Sequence, residues 1–147
     1  MSHSFVILLH TDEKKAHLDL LMERQPGGPL ASWRLLETPV TPDTPVAPEL
    51  LDVLDSLEQG LHGLPAESQP DHRREYLTYE GPVSGGRGRV QRIDGGTVVF
   101  QTQDPDRITF TLAGECLQGQ FILRHIEGEH WELRRGDGTG MSHECNR

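Results

Sequence analysis

Apolar and polar residues alternate along several short segments of the chain, as they do in strands, where side chains switch faces at every residue. Phe5 to Leu9 is a continuous apolar run that predicts a buried strand, and His17 to Met22 and Ala31 to Leu36 are two further strand candidates. The second half contains a series of strand-like runs separated by turns rich in Gly, Asp and Pro: Arg89 to Ile93, Thr97 to Gln101, Ile108 to Ala113, Gln120 to His125 and Trp131 to Arg135. Short strands at regular spacing predict an antiparallel barrel or sandwich.

One segment has helical periodicity instead. Pro48 suits the first position of a helix, and the apolar residues after it fall at helical spacing: Leu50, Val53, Leu54, Leu57 and Leu61. The stretch before it, Thr38 to Pro48, is too rich in proline for regular structure. We therefore expect a mainly β protein. Residues 1–135 should form a compact antiparallel β-barrel with one amphipathic helix and short helical turns, and residues 136–147 a disordered tail.

Composition limits the classes of partner. A chain of 147 residues is long enough for one domain with its own core. Its formal net charge of −9 does not favour non-specific binding to a phosphate backbone, although it leaves room for a local basic site. The N-terminal apolar run is too short for a signal peptide or a membrane span, so we expect a soluble, cytoplasmic protein. Cys116 and Cys145 match no metal or redox motif, and we expect unpaired thiols.

Two histidines and an aspartate near the N-terminus form a candidate metal site. His17 and Asp19 are two residues apart in a predicted strand and therefore point to the same face. If this strand pairs with the preceding apolar strand through the polar turn Thr11 to Lys15, His10 returns beside them. Two imidazoles and one carboxylate suit a divalent cation such as Mn, Fe or Zn, although such residue types on a strand face more often form a solvated surface than a metal site.

The middle of the chain, Gln69 to Val90, combines cationic and aromatic residues. It contains His72, Tyr76 and the glycine-rich turn Gly85 to Gly88, which lacks the pattern of a nucleotide-binding loop. The arginines of this region and the one that follows it fit either a solvated face or a phosphate site: Arg73, Arg74, Arg87, Arg89 and Arg92.

Four motifs follow one another in a specific order. They are H-x6-H-L-D-x-x-x-E from His10, a tryptophan ten residues after Glu23, D-H-x-x-x-Y-x-x-Y-E-G from Asp71, and a glycine-rich turn followed by D-G-G-T from Asp94. This order, with the later runs LAGECLQGQFILRH and HWELRR, resembles the 3′-phosphoesterase module of bacterial ATP-dependent DNA ligase D. The resemblance covers roughly residues 5–135. We expect a stand-alone, divergent member of that family.

The resemblance implies a compact β-barrel whose polar surface holds a metal, most often Mn²⁺, with Zn²⁺ as the alternative. It implies trimming of DNA 3′ ends in repair, by removal of a terminal ribonucleoside and then of the remaining 3′-phosphate. The metal ligands map onto His10, His17 and Asp19, and the catalytic residues at the phosphate onto His72 and Tyr76. The implied partner is the 3′ end of DNA, with or without a terminal ribonucleotide, and a repair protein is a further candidate partner; no membrane is involved.

Three departures from the family separate this chain from an ordinary member. The first two histidines are one residue further apart, the family's phosphate-binding arginine is Leu21 here, and a family lysine is Glu37. Replacement cations could come from Arg73, Arg87 or Arg89, of which the last two share a face if their segment is a strand.

Two acidic residues and an alternative function complete the predictions. Asp71 and Glu80 are candidates to orient a histidine through a hydrogen bond. The alternative to a metal-dependent phosphoesterase is a catalytically impaired relative that binds a phosphorylated nucleic-acid end, a nucleotide or a protein partner.

Overall fold

The computed structural model describes residues 3–11, 16–35, 63–83, 85–86 and 88–136. Within these residues the chain forms nine β-strands and a 3-10 helix, Arg74–Leu77. The strands are β1 (His3–Thr11), β2 (Ala16–Glu23), β3 (Leu30–Leu35), β4 (Leu64–His72), β5 (Gly81–Pro82), β6 (Arg89–Asp104), β7 (Arg107–Gly114), β8 (Gln118–Glu127) and β9 (His130–Arg135).

Eight of the described strands form a closed antiparallel barrel. Hydrogen bonds join neighbours in the order β1-β2-β3-β4-β9-β8-β7-β6, and β6 returns to pair with β1. Closure depends on the length of β6, which has 16 residues: Arg89 to Val98 pair with β1, and Gly96 to Asp104 pair with β7. The short β5 pairs with the start of β6. The predicted mainly β, antiparallel barrel is confirmed.

Apolar residues lie on both faces of the first strand. Phe5 and Ile7 point into the barrel and join its core, together with Phe110 and Phe121 from the opposite wall. Val6 and Leu8 point outward and form a second cluster, here called the outer apolar cluster, made of Val6, Leu8, Leu21, Leu30 and Val90. Tyr76 and Leu77 of the 3-10 helix pack on this cluster. Tyr76 and Leu77 are only partly buried, so this packing holds the helix to the barrel wall together with the ion pair between Arg74 and Glu23.

The two tryptophans belong to the core, as expected for large aromatic anchors. Trp33 is buried, and its ring lies 6.0 Å from that of the partly buried Trp131. The predicted strands on β1, β2, β3, β7, β8 and β9 are confirmed, with their ends shifted by one or two residues.

Two strand predictions need correction. Arg89–Ile93 and Thr97–Gln101 belong to a single strand, because the Asp-Gly-Gly between them continues the extended chain. A Cβ on Gly96 would lie 2.2 Å from the carbonyl oxygen of Ala113, so glycine permits close strand contact here and does not make a turn. Strand β4 was missed altogether, since Pro65 and Pro70 interrupt its alternation.

Three further predictions concern residues outside the described part of the chain. These include the helix after Pro48, the proline-rich stretch before it, and the tail from residue 137 onward. Cys116 is buried and disulfide-bonded, so an unpaired thiol is the wrong prediction there; spacing alone does not show which distant residues a fold brings together. Cys145 lies outside the described residues.

Among the described residues, no helix is long and apolar enough to span a membrane.

Candidate metal centre and phosphate cleft

The antiparallel pairing of β1 with β2 brings the three candidate metal ligands together. His10 lies directly opposite His17, and the centroids of their rings are 4.8 Å apart. His17 Nε2 lies 3.2 Å from Asp19 Oδ2. One ligand atom from each of His10, His17 and Asp19 lies within 4.8 Å of the others. The strand pairing predicted from the sequence is therefore confirmed, and the binding of a metal stays a prediction.

Two atoms of this cluster have unsatisfied hydrogen-bonding capacity. His17 Nε2 and Asp19 Oδ1 are buried and make no hydrogen bond within the part of the chain that the structure describes. A buried polar atom without a partner costs about 1–3 kcal/mol, which a bound cation would offset. Two imidazole nitrogens and one carboxylate oxygen suit Mn²⁺, Fe²⁺ or Zn²⁺, and three protein ligands leave positions for water and substrate. The residues therefore fit a divalent cation.

An arginine that sequence reasoning did not single out lies beside this cluster. Arg34 on β3 is directly opposite Asp19, and its Nε lies 3.8 Å from Asp19 Oδ1. This nitrogen too is buried and makes no hydrogen bond to a described residue. The alternation along β3 could have indicated this position: Trp33 and Leu35 point into the barrel, so Arg34 between them must point outward.

The cluster opens into a cleft of about 420 Å³ on the outer surface of the barrel. Strands β1, β2 and β3 contribute His10, Asp19 and Arg34 to its lining. The predicted catalytic residue His72 comes from the end of β4, and Arg73 and the second predicted catalytic residue, Tyr76, come from the segment that follows. His17 contacts the other two candidate ligands without lining the cleft itself. The chain's middle and its N-terminal hairpin thus meet in one place, as the motif order implied.

An irregularity in the β3–β4 pairing precedes His72. The register shifts between Leu30 and Ser32, so that His72 comes to lie opposite Leu30. Such bulges re-aim side chains and are common next to functional sites. His72 Nδ1 lies 3.1 Å from the carbonyl oxygen of Pro70. Because a carbonyl oxygen only accepts, Nδ1 carries the proton, which leaves Nε2 as the nitrogen available to a ligand.

The tyrosine of the cleft is held by neighbouring rings and by the barrel wall. The ring of Tyr76 lies 5.6 Å from that of His72 and 5.8 Å from that of Tyr79, edge to face in both cases. It also packs on the outer apolar cluster. His72 and Tyr76 are therefore fixed relative to each other and to the strands that carry the candidate metal ligands.

A buried carboxylate anchors the 3-10 helix below Tyr76. Glu23 at the end of β2 accepts hydrogen bonds from the backbone N–H groups of Ser4 and Gly27, both at 3.2 Å, and from the guanidinium of Arg74. Arg74 also donates to the carbonyl oxygen of Gly28 at 3.1 Å. Burial raises the pKa of Glu23, but these hydrogen bonds and the charge of Arg74 outweigh it and lower the pKa below its ordinary 4.5.

The predicted phosphate-binding arginines occupy different places. Arg73 lines the cleft, but its side chain is 81% exposed and its Nη1 lies 3.3 Å from Glu75 Oε1. Arg89 lines a neighbouring cleft of about 350 Å³ instead. Arg87 lies outside the described residues. Of the family positions that differ, Leu21 is fully buried in the outer apolar cluster, and Glu37 lies outside the described residues.

The two acidic residues expected to orient a histidine are also separated. Asp71 lines the same cleft as His72. Glu80 lines the neighbouring cleft and accepts a hydrogen bond from the backbone N–H of Arg92 at 3.0 Å. Glu80 therefore supports the start of β6 in this structure.

Comparison with known proteins does not name a family for this chain. No protein-family model matches it, and no curated protein matches it. Membership of the ligase D phosphoesterase family stays a prediction from the order of the motifs.

Proposed function

We propose that this protein is a metal-dependent phosphoesterase of the ligase D type, which removes 3′-phosphate or 3′-ribonucleotide ends from nucleic acid during repair. One observation carries the proposal. Side chains from two distant parts of the chain, the His10–His17–Asp19 cluster and the His72–Tyr76 pair, converge on one cleft. A cation site beside an imidazole and a phenol can polarise a phosphate ester, protonate its leaving group and hydrogen-bond its oxygens.

The chemistry divides between the two halves of the cleft. Mn²⁺ bound by His10, His17 and Asp19 would polarise the phosphate and lower the pKa of a water nucleophile. His72 presents Nε2 to the phosphate, where a protonated imidazole neutralises developing charge and gives its proton to the departing oxygen. The hydroxyl group of Tyr76 donates a hydrogen bond to a phosphate oxygen. With a terminal ribonucleoside, water attacks phosphorus and the P–O5′ bond breaks, which releases the nucleoside with a 5′-hydroxyl and leaves a 3′-phosphate on the primer. With a 3′-phosphate, the P–O3′ bond breaks, which leaves a 3′-hydroxyl and free phosphate.

The charge of the protein favours recognition of an end over binding along a strand. A formal net charge of −9 repels the phosphate backbone. The described arginines of the cleft, Arg34 and Arg73, supply positive charge at this one surface. A single terminal phosphate therefore suits the cleft better than an extended duplex.

A second candidate function is binding without catalysis. Leu21 takes the place of the family's phosphate-binding arginine, and its burial keeps that position apolar. Loss of one preorganised donor typically costs about 10²–10³ in rate. This observation favours an impaired relative that still binds a phosphorylated end, a nucleotide or a protein partner.

One assay separates the two functions. The protein is incubated with Mn²⁺ and a labelled primer that ends in a 3′-phosphate or in a single 3′-ribonucleotide. We expect cleavage by the unaltered protein and a loss of about 10²–10⁴-fold in His72→Ala, the range for removal of a general acid. His125→Ala is the matched control, because His125 bonds the carbonyl oxygen of Gly128 and does not line the cleft. Binding of the primer end without turnover supports the second function, and neither binding nor turnover refutes the enzyme and the binding of phosphorylated nucleic-acid ends.

A further inference from the structure

The guanidinium of Arg34 lies in the cleft, beside the candidate metal ligand Asp19. Its Nε is buried, aimed at the cleft and without a hydrogen bond to any described residue. The carboxylate oxygen Asp19 Oδ1 lies 3.8 Å from it, beyond ordinary hydrogen-bond distance. Asp19 Oδ1 itself lacks a partner. Arg34 and Asp19 are thus held side by side without satisfying each other.

The other described arginines near the cleft are occupied or distant. Arg74 binds Glu23 and the carbonyl oxygen of Gly28. Arg73 pairs with Glu75 at the exposed rim, where ion pairs contribute little. Arg89 belongs to the neighbouring cleft. Arg34, whose side chain is 30% exposed, is the described arginine of the cleft that has a buried nitrogen, Nε, without a hydrogen bond to a described residue.

Cross-strand neighbours explain how Arg34 can replace the missing family cation. Leu21 follows Asp19 by two residues on β2 and points to the same outer face, but the outer apolar cluster covers it. Arg34 reaches the cleft from β3, directly opposite Asp19. Residues opposite each other in adjacent strands are closer together than residues two apart in one strand, so the charge stays next to the candidate metal ligands.

The position of Arg34 also has an electrostatic consequence. A divalent cation on Asp19 would lie close to the positive guanidinium, and the two charges would repel each other in a partly buried site. A phosphate group between them contacts both and relieves that repulsion. Arg–phosphate pairing is strong because two N–H groups donate in parallel to two oxygens.

We propose, on the basis of the proposed function, that Arg34 supplies the phosphate contact that Leu21 lacks and thereby makes metal and phosphate bind cooperatively. The metal-loaded cleft binds phosphate better than the metal-free cleft, and phosphate raises metal affinity by the same factor, as linkage requires. Without phosphate, Arg34 opposes the metal.

Calorimetric titration of the full chain with Mn²⁺, with and without inorganic phosphate, tests this coupling. For the unaltered protein we expect phosphate to raise Mn²⁺ affinity by about fivefold or more, the lower end of typical coupling between sites. Arg34→Gln should lose most of that increase, and Arg34→Lys should keep part of it, because lysine retains the charge without the planar fork. Arg34→Gln should also bind Mn²⁺ more tightly than the unaltered protein when phosphate is absent.

The last effect separates coupling from a structural role. If Arg34 only oriented Asp19, Arg34→Gln would weaken Mn²⁺ binding in the absence of phosphate, and that result overturns the inference. The matched control is Arg124→Gln, which removes an exposed arginine paired with Glu132 on the barrel wall and should leave both affinities unchanged. Thermal unfolding of each variant verifies that it is folded.

The outcomes also distinguish this inference from the proposed function. Primer cleavage without coupling overturns the role of Arg34 and leaves the phosphoesterase intact. Coupling without cleavage supports Arg34 and favours the binding module over the enzyme. Absence of specific Mn²⁺ binding in the unaltered protein overturns both.

Discussion

Glu23 and Arg74 form an ion pair across 51 residues of sequence, and this pair ties the end of β2 to the 3-10 helix that carries Tyr76. The carboxylate also binds the backbone of β1 through Ser4 and that of the following turn through Gly27. A single buried side chain thus connects the two strands that hold the candidate metal ligands to the helix on the other side of the cleft.

The first prediction concerns this anchor. Glu23→Gln should lower the free energy of unfolding by about 1–3 kcal/mol at neutral pH, because it weakens a charged, buried hydrogen-bond network. The pKa of Glu23 in the folded protein lies below its ordinary 4.5. Its contribution is therefore present above that value and is lost as the pH falls through the folded pKa. Urea unfolding of both proteins from pH 7 down to about pH 3 should show their difference shrinking at the acid end.

The control for this experiment is Glu75→Gln. Glu75 forms an exposed pair with Arg73, with 60% of its side chain exposed, and its loss should have little effect on stability. A difference between the unaltered protein and Glu23→Gln that stays constant across the pH range would contradict the proposed role of the ionised carboxylate.

The second prediction concerns the metal. His17→Ala should abolish specific Mn²⁺ binding, because it removes one of three converging ligands whose atoms lie within 4.8 Å of one another. A ligand that binds only the folded state at about 100 times its dissociation constant adds about 2.7 kcal/mol of stability. Mn²⁺ should therefore raise the melting temperature of the unaltered protein and of His125→Ala, and leave that of His17→Ala unchanged. Equal Mn²⁺ affinity in His17→Ala, measured by calorimetry, would remove the metal site.

The sequence predicted the parts of this fold in which side chains alternate. In strand β2, Leu18, Leu20 and Met22 point inward, and the predicted pairing with β1 places His10 opposite His17. Strand β4 was not predicted because its sequence is polar and rich in proline, and only Leu64 and Ala66 at its start are apolar residues of the core. A strand of this kind is specified by its neighbours on both sides and not by its own pattern.

The position of Arg34 beside Asp19 could not be predicted either, because it too depends on neighbouring strands. Its place opposite Asp19 depends on the register between β2 and β3, which is set by the turn that joins them. A shift of one residue would turn Arg34 to the other face. The pattern of β3 fixes which residues point outward, but only the pairing shows which outward residue meets the candidate metal ligand.

The third prediction concerns Asp94, the first residue of the D-G-G-T motif. Its buried carboxylate accepts hydrogen bonds from the backbone N–H groups of Gly95, Glu115, Cys116 and Leu117. Asp94→Asn replaces one accepting oxygen with a donor and should destabilise the fold by about 1–3 kcal/mol for each N–H left unsatisfied. Chemical unfolding measures this loss, and Mn²⁺ affinity in the folded variant should be unchanged, because Asp94 does not line the cleft.

Asp104→Asn is the control, since Asp104 is exposed at the end of β6. Loss of Mn²⁺ binding in a folded Asp94→Asn variant would show that the motif belongs to the metal site and not to the turn between β7 and β8. Equal stability of the two variants would contradict the structural role given to the buried carboxylate.

The fourth prediction asks whether the family's arginine can be restored. Leu21 is fully buried among Val6, Leu8 and Leu30, beneath the 3-10 helix. Leu21→Arg would place a charge in this apolar cluster and displace the helix that carries Tyr76. We expect it to lower the free energy of unfolding by several kcal/mol, because an unpaired buried charge is among the most costly substitutions, and not to increase primer cleavage.

Leu21→Met is the matched control, because a swap that conserves volume usually costs less than about 1.5 kcal/mol and should leave the cleft intact. The comparison separates two reasons for the absence of an arginine on β2. A Leu21→Arg protein as stable as Leu21→Met, with faster cleavage, would mean that position 21 faces the substrate and that Arg34 is not its replacement. Loss of stability without a gain in cleavage means that position 21 serves the apolar packing beneath the 3-10 helix. A cationic contact to the phosphate must then come from another strand.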